Sequence, residues 1–409
     1  MRFEHRGTVL EVFLAALKLG LTSFGGPVAH IGYFRSEYVD RRRWLDERTF
    51  GDLMALCQFL PGPASSQLGM AIGMGRAGRL GAIAAWLGFT LPSAIVMMLF
   101  ALWLGTGMDV SDAGWLRGLK LTAVAVVAQA VWSMAQSLAP DRPRATIALV
   151  AAGWAVLVPG VAGQLLPLAV SAAIGYWLLR PPPNAAAQLT ADAAAAQPPE
   201  RRAGRATAML QLGIFALLLL LLPAAAQLLP ASQALALADS HYRVGSLVFG
   251  GGHVVLPMLE AEVAGGGGGS IPSETFMAGY GAAQAVPGPL FTFAAFIGGS
   301  FAPGWQGAAY AALALTAIFI PSYLLLAAAL PFWSRLRENR MARGALNGVN
   351  AAVVGILLAA LYDPVWTDTV GTAADFAFAA AAFLLLQVWR RAPWQVVVWS
   401  ALGGWALWP

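Results

Sequence analysis

The sequence is poor in charge. Only 11% of its 409 residues are Asp, Glu, Lys or Arg, whereas a soluble globular protein carries about 25%. So few charges cannot cover a water-exposed surface, and most of this surface must therefore face lipid. Apolar runs long enough to cross about 30 Å of hydrocarbon recur along the chain, for example at 81–104, 209–229, 305–330 and 373–389. The sequence predicts an all-α polytopic membrane protein.

Cysteine is nearly absent, and no enzyme signature stands in its place. The single Cys57 excludes an intramolecular disulfide and a cysteine metal cluster. No soluble segment is long enough for a catalytic domain, and the phosphate-binding loop Gly-x-x-x-x-Gly-Lys-Ser/Thr does not occur. We therefore expect no catalytic residues, no metal, no cofactor and no ATP hydrolysis. A membrane-embedded enzyme acting on a lipid phosphate is left open as the alternative from another class.

The formal net charge is +5, and the arginines lie in short loops between apolar runs. In a soluble chain it would suggest nucleic acid, but here it is typical of the positive-inside bias of membrane proteins. We therefore expect no nucleic-acid partner, and a multi-pass location in the bacterial inner (plasma) membrane in contact with lipid. The oligomeric state, including a homodimer, is left open.

A proline- and alanine-rich segment divides the chain. It begins with three prolines at 181–183 and ends with Pro-Pro-Glu-Arg-Arg at 198–202. Such a sequence cannot bury a face and is typical of a flexible linker. We predict a first transporter repeat over 1–180, a cytoplasmic linker over 181–206 and a second repeat over 207–409.

Motifs of the first half recur in the second, in the same order and 225 to 230 residues later. The pairs are Phe24-Gly25-Gly26 with Phe249-Gly250-Gly251, Gln58 with Gln284, Pro61-Gly62-Pro63 with Pro287-Gly288-Pro289, Pro92-Ser93 with Pro321-Ser322, and Gly118 with Gly348. Internal repeats of this kind are the signature of many transporter folds.

Loop charge predicts that the second repeat is inverted in the membrane. The segment 35–48 contains five arginines and should be cytoplasmic, whereas its counterpart 259–274 has three glutamates and no Lys or Arg. The loop 105–114 is acidic, whereas the equivalent loop of the second half contains four arginines. Because equivalent loops differ in charge, we expect them on opposite sides of the membrane.

The same argument makes each half begin with two broken, re-entrant hairpins. The segment 50–75 must begin and end on the cytoplasmic side, which a hairpin broken at Pro61-Gly62-Pro63 allows. By the same reasoning 9–38 is a hairpin bent at Gly25-Gly26-Pro27. Proline removes an amide donor and glycine disfavours helix, so both breaks have a local cause. We predict two inverted-topology repeats, each with such hairpins and about four crossing helices.

Each break creates a helix N-terminus inside the membrane, where free amides and a partial positive charge can bind an anion. Irregular backbone at this depth is tolerated only when it is buried in protein or lines a wet cavity, so the four breaks should meet. The candidate substrate-binding residues are the glycines of the breaks and their polar neighbours. They are Ser23, Gly25, Gly26, His30, Gln58, Gly62, Ser65, Ser66, Gly250, Gly251, Gly252, His253, Gln284, Gly288 and Thr292.

Lys18, His30 and His253 are candidates for charge or proton coupling. A charge inside the membrane is costly and often functional, although Lys18 could also extend to the cytoplasmic surface. Both histidines could instead be core residues that bond freed carbonyls. Likewise, glycine pairs often mark only a kink, and Ser65 and Ser66 could simply cap the following helix.

These motifs resemble the chromate ion transporter (CHR) family in its long, two-domain form. The resemblance covers nearly the whole chain except the linker. It rests on Phe24-Gly25-Gly26-Pro27 with His30, on Trp44-Leu45 after the arginine-rich loop, on 58–63, and on 249–252 with 284–289. One departure lies within the repeat, where Pro27 corresponds to Gly252.

The resemblance implies chromate efflux and chromate resistance, with sulfate as the close chemical analogue. The residues alone indicate only a secondary transporter of a small oxyanion. An inside-negative potential by itself favours anion exit by about 2.3 kcal/mol per charge per 100 mV. A sulfate or other oxyanion carrier is the first alternative, and a channel is also open.

Overall fold

The computed structural model describes residues 7–24, 26–105, 113–158, 161–180, 202–249, 255–263, 271–333 and 339–408. Within these ranges the chain forms helices and no β-strand. Five of the described helices are long and apolar enough to cross a membrane. The predicted all-α, polytopic architecture is therefore confirmed.

The first half runs from α1 to α7. Its helices are α1 (Val9–Thr22), α2 (Gly26–Phe34, continued by the π-helical Arg35–Arg41), α3 (Glu47–Phe59), α4 (Ala64–Leu104), α5 (Gly114–Leu138), α6 (Arg142–Leu157) and α7 (Val161–Leu178). Asp46 and Asp141 cap α3 and α6 by accepting a hydrogen bond from the amide of Thr49 and of Arg144, respectively.

The helix α4 reverses direction at Ala77 and Gly78, whose dihedral angles are not helical. Gly78 has a φ of +69°, a left-handed conformation that favours glycine. The two arms of α4 pack so closely that a Cβ at Gly73 would collide with Gly81 and Ala85. A short arm, 64–76, therefore precedes a long arm, 79–104.

One helix, α8 (Arg202–Leu228), separates the halves and begins inside the segment predicted to be a linker. Residues 181–201 lie outside the described residues. The second half then contains α9 (Gln233–Leu247), α10 (Val255–Val263), α11 (Ser273–Ala283), α12 (Phe293–Ser300, preceded by the 3-10 turn Leu290–Thr292), α13 (Gly304–Ala329), α14 (Arg340–Ala360, continued by the π-helical Leu361–Trp366), α15 (Ala373–Gln387) and α16 (Pro393–Leu407).

The helices of the second half repeat the order of the first. Helices α9, α10 and α11 correspond to α1, α2 and α3; α12 and α13 correspond to the two arms of α4; and α14 to α16 correspond to α5 to α7. Even the reversal recurs, because Gly304 between α12 and α13 has a φ of +61°. The last two helices of each half have 15 to 18 residues, at or below the length of a straight crossing.

The ends of the predicted first-half hairpins meet at one place. Glu11, near the start of α1, accepts a hydrogen bond from the Trp44 indole (3.1 Å) and pairs with Arg76 (3.2 Å) at the end of the short arm of α4. The Gly7 amide donates to the Arg76 carbonyl at 3.0 Å, and the Arg76 guanidinium lies 5.1 Å from the Trp44 ring centroid. The segments 9–38 and 50–75 thus begin and end on the same side of the fold, as hairpins must.

Close helix packing ties the two halves together through glycines at equivalent positions. Gly118 in α5 lies against the Ser400 carbonyl in α16, and Gly348 in α14 lies against the Ser171 carbonyl in α7. Small residues allow such backbone approach where no hydrophobic effect operates between helices in lipid. Each contact joins one half to the other, and the pair is reciprocal, as in a twofold-symmetric dimer.

Candidate functional site

The two Pro-Gly-Pro turns each bind the backbone of the opposite half. The Gly62 amide donates to the Val248 carbonyl at 2.6 Å, and the Gly288 amide donates to the Ser23 carbonyl at 2.9 Å. Ser23 and Val248 are the residues immediately before the two Phe-Gly-Gly motifs. Each Pro-Gly-Pro turn is therefore bonded to the segment that precedes the Phe-Gly-Gly motif of the other half, and the two contacts are equivalent and reciprocal.

The glycines of these turns have no room for a side chain. Gly62 and Gly288 have φ angles of +116° and +99°, which L side chains rarely adopt. A Cβ at Gly62 would collide with the Ser322 hydroxyl, and a Cβ at Gly288 would lie 2.9 Å from the Ser93 hydroxyl. Each turn thus packs on the Pro-Ser motif of the other half. The amide of its glycine already donates to a carbonyl and is therefore not free to bind an anion in this conformation.

The N-terminus of α4 offers amides that no side chain caps. The helix begins at Ala64, directly after the turn, and its cap residue Pro63 makes no side-chain hydrogen bond. Ser65 and Ser66 are buried just inside the helix and do not serve as its cap. The short arm of α4, which starts in this way, presents unpaired amide donors and a partial positive charge at its N-terminus.

Several buried polar side-chain atoms beside the turns have no hydrogen-bond partner among the described residues. Buried polar atoms are normally paired, because an unmade hydrogen bond costs about 1–3 kcal/mol. An oxyanion that enters the site would satisfy the donors in this set. The unpaired atoms are Ser23 Oγ, His30 Nε2, Ser66 Oγ, Gln67 Oε1, Thr90 Oγ1, Gln284 Nε2 and Ser322 Oγ.

His30 connects the first break to α4. The residue is 1% exposed, and its Nδ1 lies 3.3 Å from the Ser65 hydroxyl. The ring packs edge-on against Phe89 at 5.3 Å and also faces the backbone of Ser23. Because Nδ1 faces Ser65, the unpaired Nε2 is the ring atom left for a substrate or a proton.

Gln67 organises the first Pro-Gly-Pro turn. Its amide nitrogen donates to the Pro61 carbonyl at 2.7 Å and lies against Gly62. The side chain is completely buried, and its Oε1 is one of the unpaired atoms. Gln67 therefore holds the turn in place while leaving an acceptor for a hydroxyl or water in the site.

The polar lining comes mainly from the first half. Five polar residues of the site have buried apolar residues at the equivalent positions of the second half. The pairs are Ser23 with Val248, His30 with Val255, Ser65 with Phe291, Gln67 with Phe293, and Thr90 with Phe319. Only Ser66 with Thr292, Ser93 with Ser322, and Gln58 with Gln284 remain polar in both halves. The first half thus supplies most of the hydrogen-bonding groups of the candidate site, and the second half has mainly hydrophobic side chains at the equivalent positions.

The remaining predicted residues have varied surroundings. Gln58 is exposed, whereas Gln284 is half-buried. The buried Thr292 hydroxyl donates to the Pro289 carbonyl at 2.8 Å, and Gly26 has a φ of +77° at the start of α2. The predictions for Gly25, Gly250, Gly251, Gly252 and His253 fall outside the described residues.

Lys18 forms an ion pair that recurs in the second half. Its ammonium lies 2.7 Å from Glu37, and the Arg243 guanidinium lies 2.7 Å from Glu262. Both pairs span 19 residues and join the two arms of a hairpin. Burial opposes ionisation of Glu37, but hydrogen bonds from Lys18, Arg42 and Arg41 outweigh it and lower the pKa of Glu37 to about 2.

Sequence reasoning missed Thr90 and Ser322 as site residues. Both lie within long helices whose apolar composition hides single hydroxyls. A usable signal was present, because Pro92-Ser93 and Pro321-Ser322 were already visible as repeated landmarks. A proline within a helix frees a carbonyl, and small polar residues often accompany it.

The family model for chromate transporters matches residues 10–176 and 235–405. These two regions coincide with the two helical halves. The chain belongs to the chromate transporter family. This assignment confirms the resemblance predicted from the motifs, and it fits the multi-pass bacterial membrane protein indicated by the helices.

Several known proteins are similar to most of the chain. It is 28% identical to a chromate transport protein of Pseudomonas aeruginosa, over 98% of this chain and 92% of that protein. It is 24% identical to a chromate transport protein of Cupriavidus metallidurans, over 98% and 94% of the two chains. An uncharacterised transporter of Methanocaldococcus jannaschii is 26% identical over 88% and 85%. No solved structure matches the chain significantly.

Proposed function

We propose that this chromate transporter family member is a secondary carrier that exports chromate from the cytoplasm and so confers chromate resistance. The observation that carries the proposal is the set of unpaired, buried polar atoms around the reciprocal turn contacts. In a chain of this family, such a set fits the place where the transported anion binds.

The chemistry of the site suits a tetrahedral oxyanion. Chromate presents oxygen acceptors in four directions and needs several donors aimed at one point. The hydroxyls of Ser66, Thr90 and Ser322, the Gln284 amide and the N-terminus of α4 are donors of this kind. They are neutral, so they can release the ion again, whereas a buried cation would hold it tightly.

The reciprocal contacts support a carrier rather than a fixed pore. In carriers with inverted repeats, the two halves exchange conformations around a central site, which opens first to one side and then to the other. Here each half holds the turn of the other through one backbone hydrogen bond. Moving one hairpin must therefore move the opposite turn, which couples the two openings.

Two charge arguments support export as the direction of transport. An inside-negative potential favours exit of a dianion by about 4.6 kcal/mol per 100 mV, twice the value for a single charge. The five arginines of 35–48 would also concentrate anions at the face predicted to be cytoplasmic.

Flux in proteoliposomes tests the proposal. Vesicles containing the purified protein are loaded with chromate or with sulfate, a voltage is imposed, and anion release is followed with time. We expect saturable chromate release that accelerates when the interior is negative and that exchanges with external chromate. Release of sulfate with no release of chromate would favour the alternative carrier. Non-saturable flux without exchange would indicate a channel, and no flux of either anion would reject the proposal.

A further inference from the structure

A glutamate of the second half is buried with no group to neutralise it. Glu260 in α10 is 5% exposed. Neither of its carboxylate oxygens has a hydrogen-bond partner among the described residues. A carboxylate held in this way is too costly to remain charged, so the side chain needs either a proton or a bound cation.

The groups that face Glu260 are themselves acidic. Asp368 and Asp363, which follow α14, lie close enough for their charges to act on Glu260. Ser273 donates to Asp368 at 2.6 Å, and Thr367 donates to Asp363 at 3.3 Å. The charges of both aspartates disfavour a further negative charge on Glu260.

Most other ionisable groups on the elements around α10 are paired with one another or lie far from Glu260, and the buried His241 of α9 bonds the Leu237 carbonyl through Nδ1 at 2.9 Å. Arg243 and Asp239 of α9 form a cluster with Glu262, the next acidic residue of α10. Glu274 of α11 pairs with Lys120 at 3.4 Å. Arg340 and Arg343 lie at the opposite end of α14 from Asp363, and α7 contributes no Asp, Glu, Lys or Arg. Tyr176 of α7 packs against Arg180, and the Tyr280 ring of α11 packs edge-on against Phe293.

A proton fits this position better than a metal ion. No group of three His, Cys, Asp or Glu side chains in the described ranges is arranged to hold a metal. The site also belongs to one half alone. The equivalent of Glu260 in the first half is Arg35, which is 49% exposed and pairs with Glu47 at 2.8 Å.

We propose that Glu260 is a proton-binding site that couples inward proton movement to anion export. The coupling rests on the carrier function proposed above. Glu260 takes a proton from the acidic face formed with Asp363 and Asp368, the face predicted to be periplasmic. The neutral acid can stay buried, but once the proton leaves, the charged side chain must reach water, and α10 must move to allow it.

A chain of contacts leads from α10 to the anion site. Glu262, two residues after Glu260, holds Arg243 of α9 at 2.7 Å. The end of α9 supplies the Val248 carbonyl that binds the Gly62 amide. Movement of α10 would therefore be passed to the first Pro-Gly-Pro turn and to the residues around it.

The pH dependence of stability tests proton binding without any transport. The midpoint of thermal unfolding is measured in detergent between about pH 6 and pH 9 for the wild type, Glu260→Gln and Glu262→Gln. Because unfolding releases the proton from Glu260, the wild type should lose stability as pH rises, with a slope that exceeds that of E260Q by about one proton. Glu262 is paired with Arg243, so E262Q should keep the wild-type slope. Equal slopes for wild type and E260Q would overturn the proposal.

Coupling is tested in proteoliposomes at clamped voltage. Chromate release is compared with and without an inward proton gradient, and the ratio is taken for each variant. We expect a ratio well above one for the wild type and close to one for E260Q. An unchanged ratio in E260Q, or acceleration by a sodium gradient instead, would overturn the coupling. If the wild type moves no chromate, the carrier proposal fails, whereas the stability slopes still report on the proton site.

A second variant tests the proposal even if E260Q fails to fold. Asp363→Asn removes one of the neighbouring negative charges and so weakens proton binding at Glu260. The pH at which the proton gradient loses its effect should therefore move to a lower value. An unmoved pH profile in D363N would contradict the proposed role of Glu260.

Discussion

At the scale of single residues, Ser93 and Ser322 are equivalent in sequence but differ in their contacts. The Ser93 hydroxyl donates to the Thr90 carbonyl at 3.1 Å within its own helix, whereas the Ser322 hydroxyl is buried without a partner among the described residues. A hydroxyl without a partner can donate to the anion, whereas a hydroxyl that already donates to a carbonyl would first have to break that bond. The repeat thus supplies its own matched control.

We expect Ser322→Ala to raise the half-saturating chromate concentration roughly tenfold or more, the loss of one hydrogen bond to a charged group. Ser93→Ala should change it far less. Initial rates of chromate uptake into proteoliposomes measure both variants. Equal effects of the two substitutions would remove Ser322 from the binding site.

Gly62 combines a positive φ with a crowded position, and Gly78 has the positive φ alone. A Cβ at Gly62 would collide with Ser322, whereas no atom lies within 4 Å of a Cβ at Gly78. We expect Gly62→Ala to abolish chromate transport while the protein still inserts into the membrane. Gly78→Ala should cost about 1–2 kcal/mol of stability and keep transport. Full transport by G62A, measured beside G78A at equal expression, would contradict the importance of the turn contact.

Part of the candidate site could be predicted from the sequence because its signals are local. His30, Ser65, Ser66 and Gln284 stand beside glycine or proline breaks, and the structure places unpaired or mutually bonded polar groups at all four. Sequence could not show that the Gly62 amide is taken by Val248, since that contact joins residues 186 positions apart. Nor could it show which polar side chains of the described residues lack a hydrogen-bond partner, because that depends on how the folded chain packs.

At the scale of helices, the ion pairs Lys18–Glu37 and Arg243–Glu262 close the first hairpin of each half. Glu37 is 5% exposed and also accepts hydrogen bonds from Arg41 and Arg42. Because its pKa is lowered from 4.5 to about 2, ionised Glu37 stabilises the folded state. That stabilisation is complete above its ordinary pKa and is lost as pH falls toward 2.

The stability difference between the wild type and Glu37→Gln should therefore be constant near neutral pH and shrink below about pH 4.5. The midpoint of thermal unfolding in detergent, recorded from neutral to acidic pH, measures it. Arg35→Gln serves as a control, since Arg35 pairs on the exposed surface with Glu47. A difference between wild type and E37Q that does not change with pH would contradict the role given to Glu37.

The hairpins could be predicted because prolines and glycines interrupt the apolar runs and charge marks their ends. Loop charge predicts that the second hairpin returns to the cytoplasmic side near Arg76. In the structure Arg76 lies next to Trp44 and Glu11, which mark the ends of the first hairpin. The pairing of Lys18 with Glu37 could not be predicted in the same way. The two residues lie on different arms of the hairpin, and their contact depends on the angle at which the arms meet.

At the scale of the whole molecule, α8 is the helix that makes inversion possible. In the predicted topology each half contains hairpins that return and an even number of further helices, so each half would begin and end on the same side of the membrane. A single additional crossing by α8, which is 27 residues long, then places the second half in the opposite orientation. This inversion stays a prediction.

Cysteine labelling tests the inversion. Cys57 is buried and can be replaced to give a background without thiols. We expect a membrane-impermeant reagent to label Asp40→Cys only from the cytoplasm and Gly266→Cys only from the periplasm. Labelling of both positions from the same side would show that the two halves are parallel.

Chromium provides the most direct test of where the anion binds. Crystals of the protein grown with chromate would locate the metal by its anomalous scattering, independently of any assumption about flux. The reciprocal turns predict one chromium peak between the N-terminus of α4 and Ser322, beside Gly62. Occupancy confined to the arginines of 35–48, with the turns empty at saturating chromate, would contradict the site.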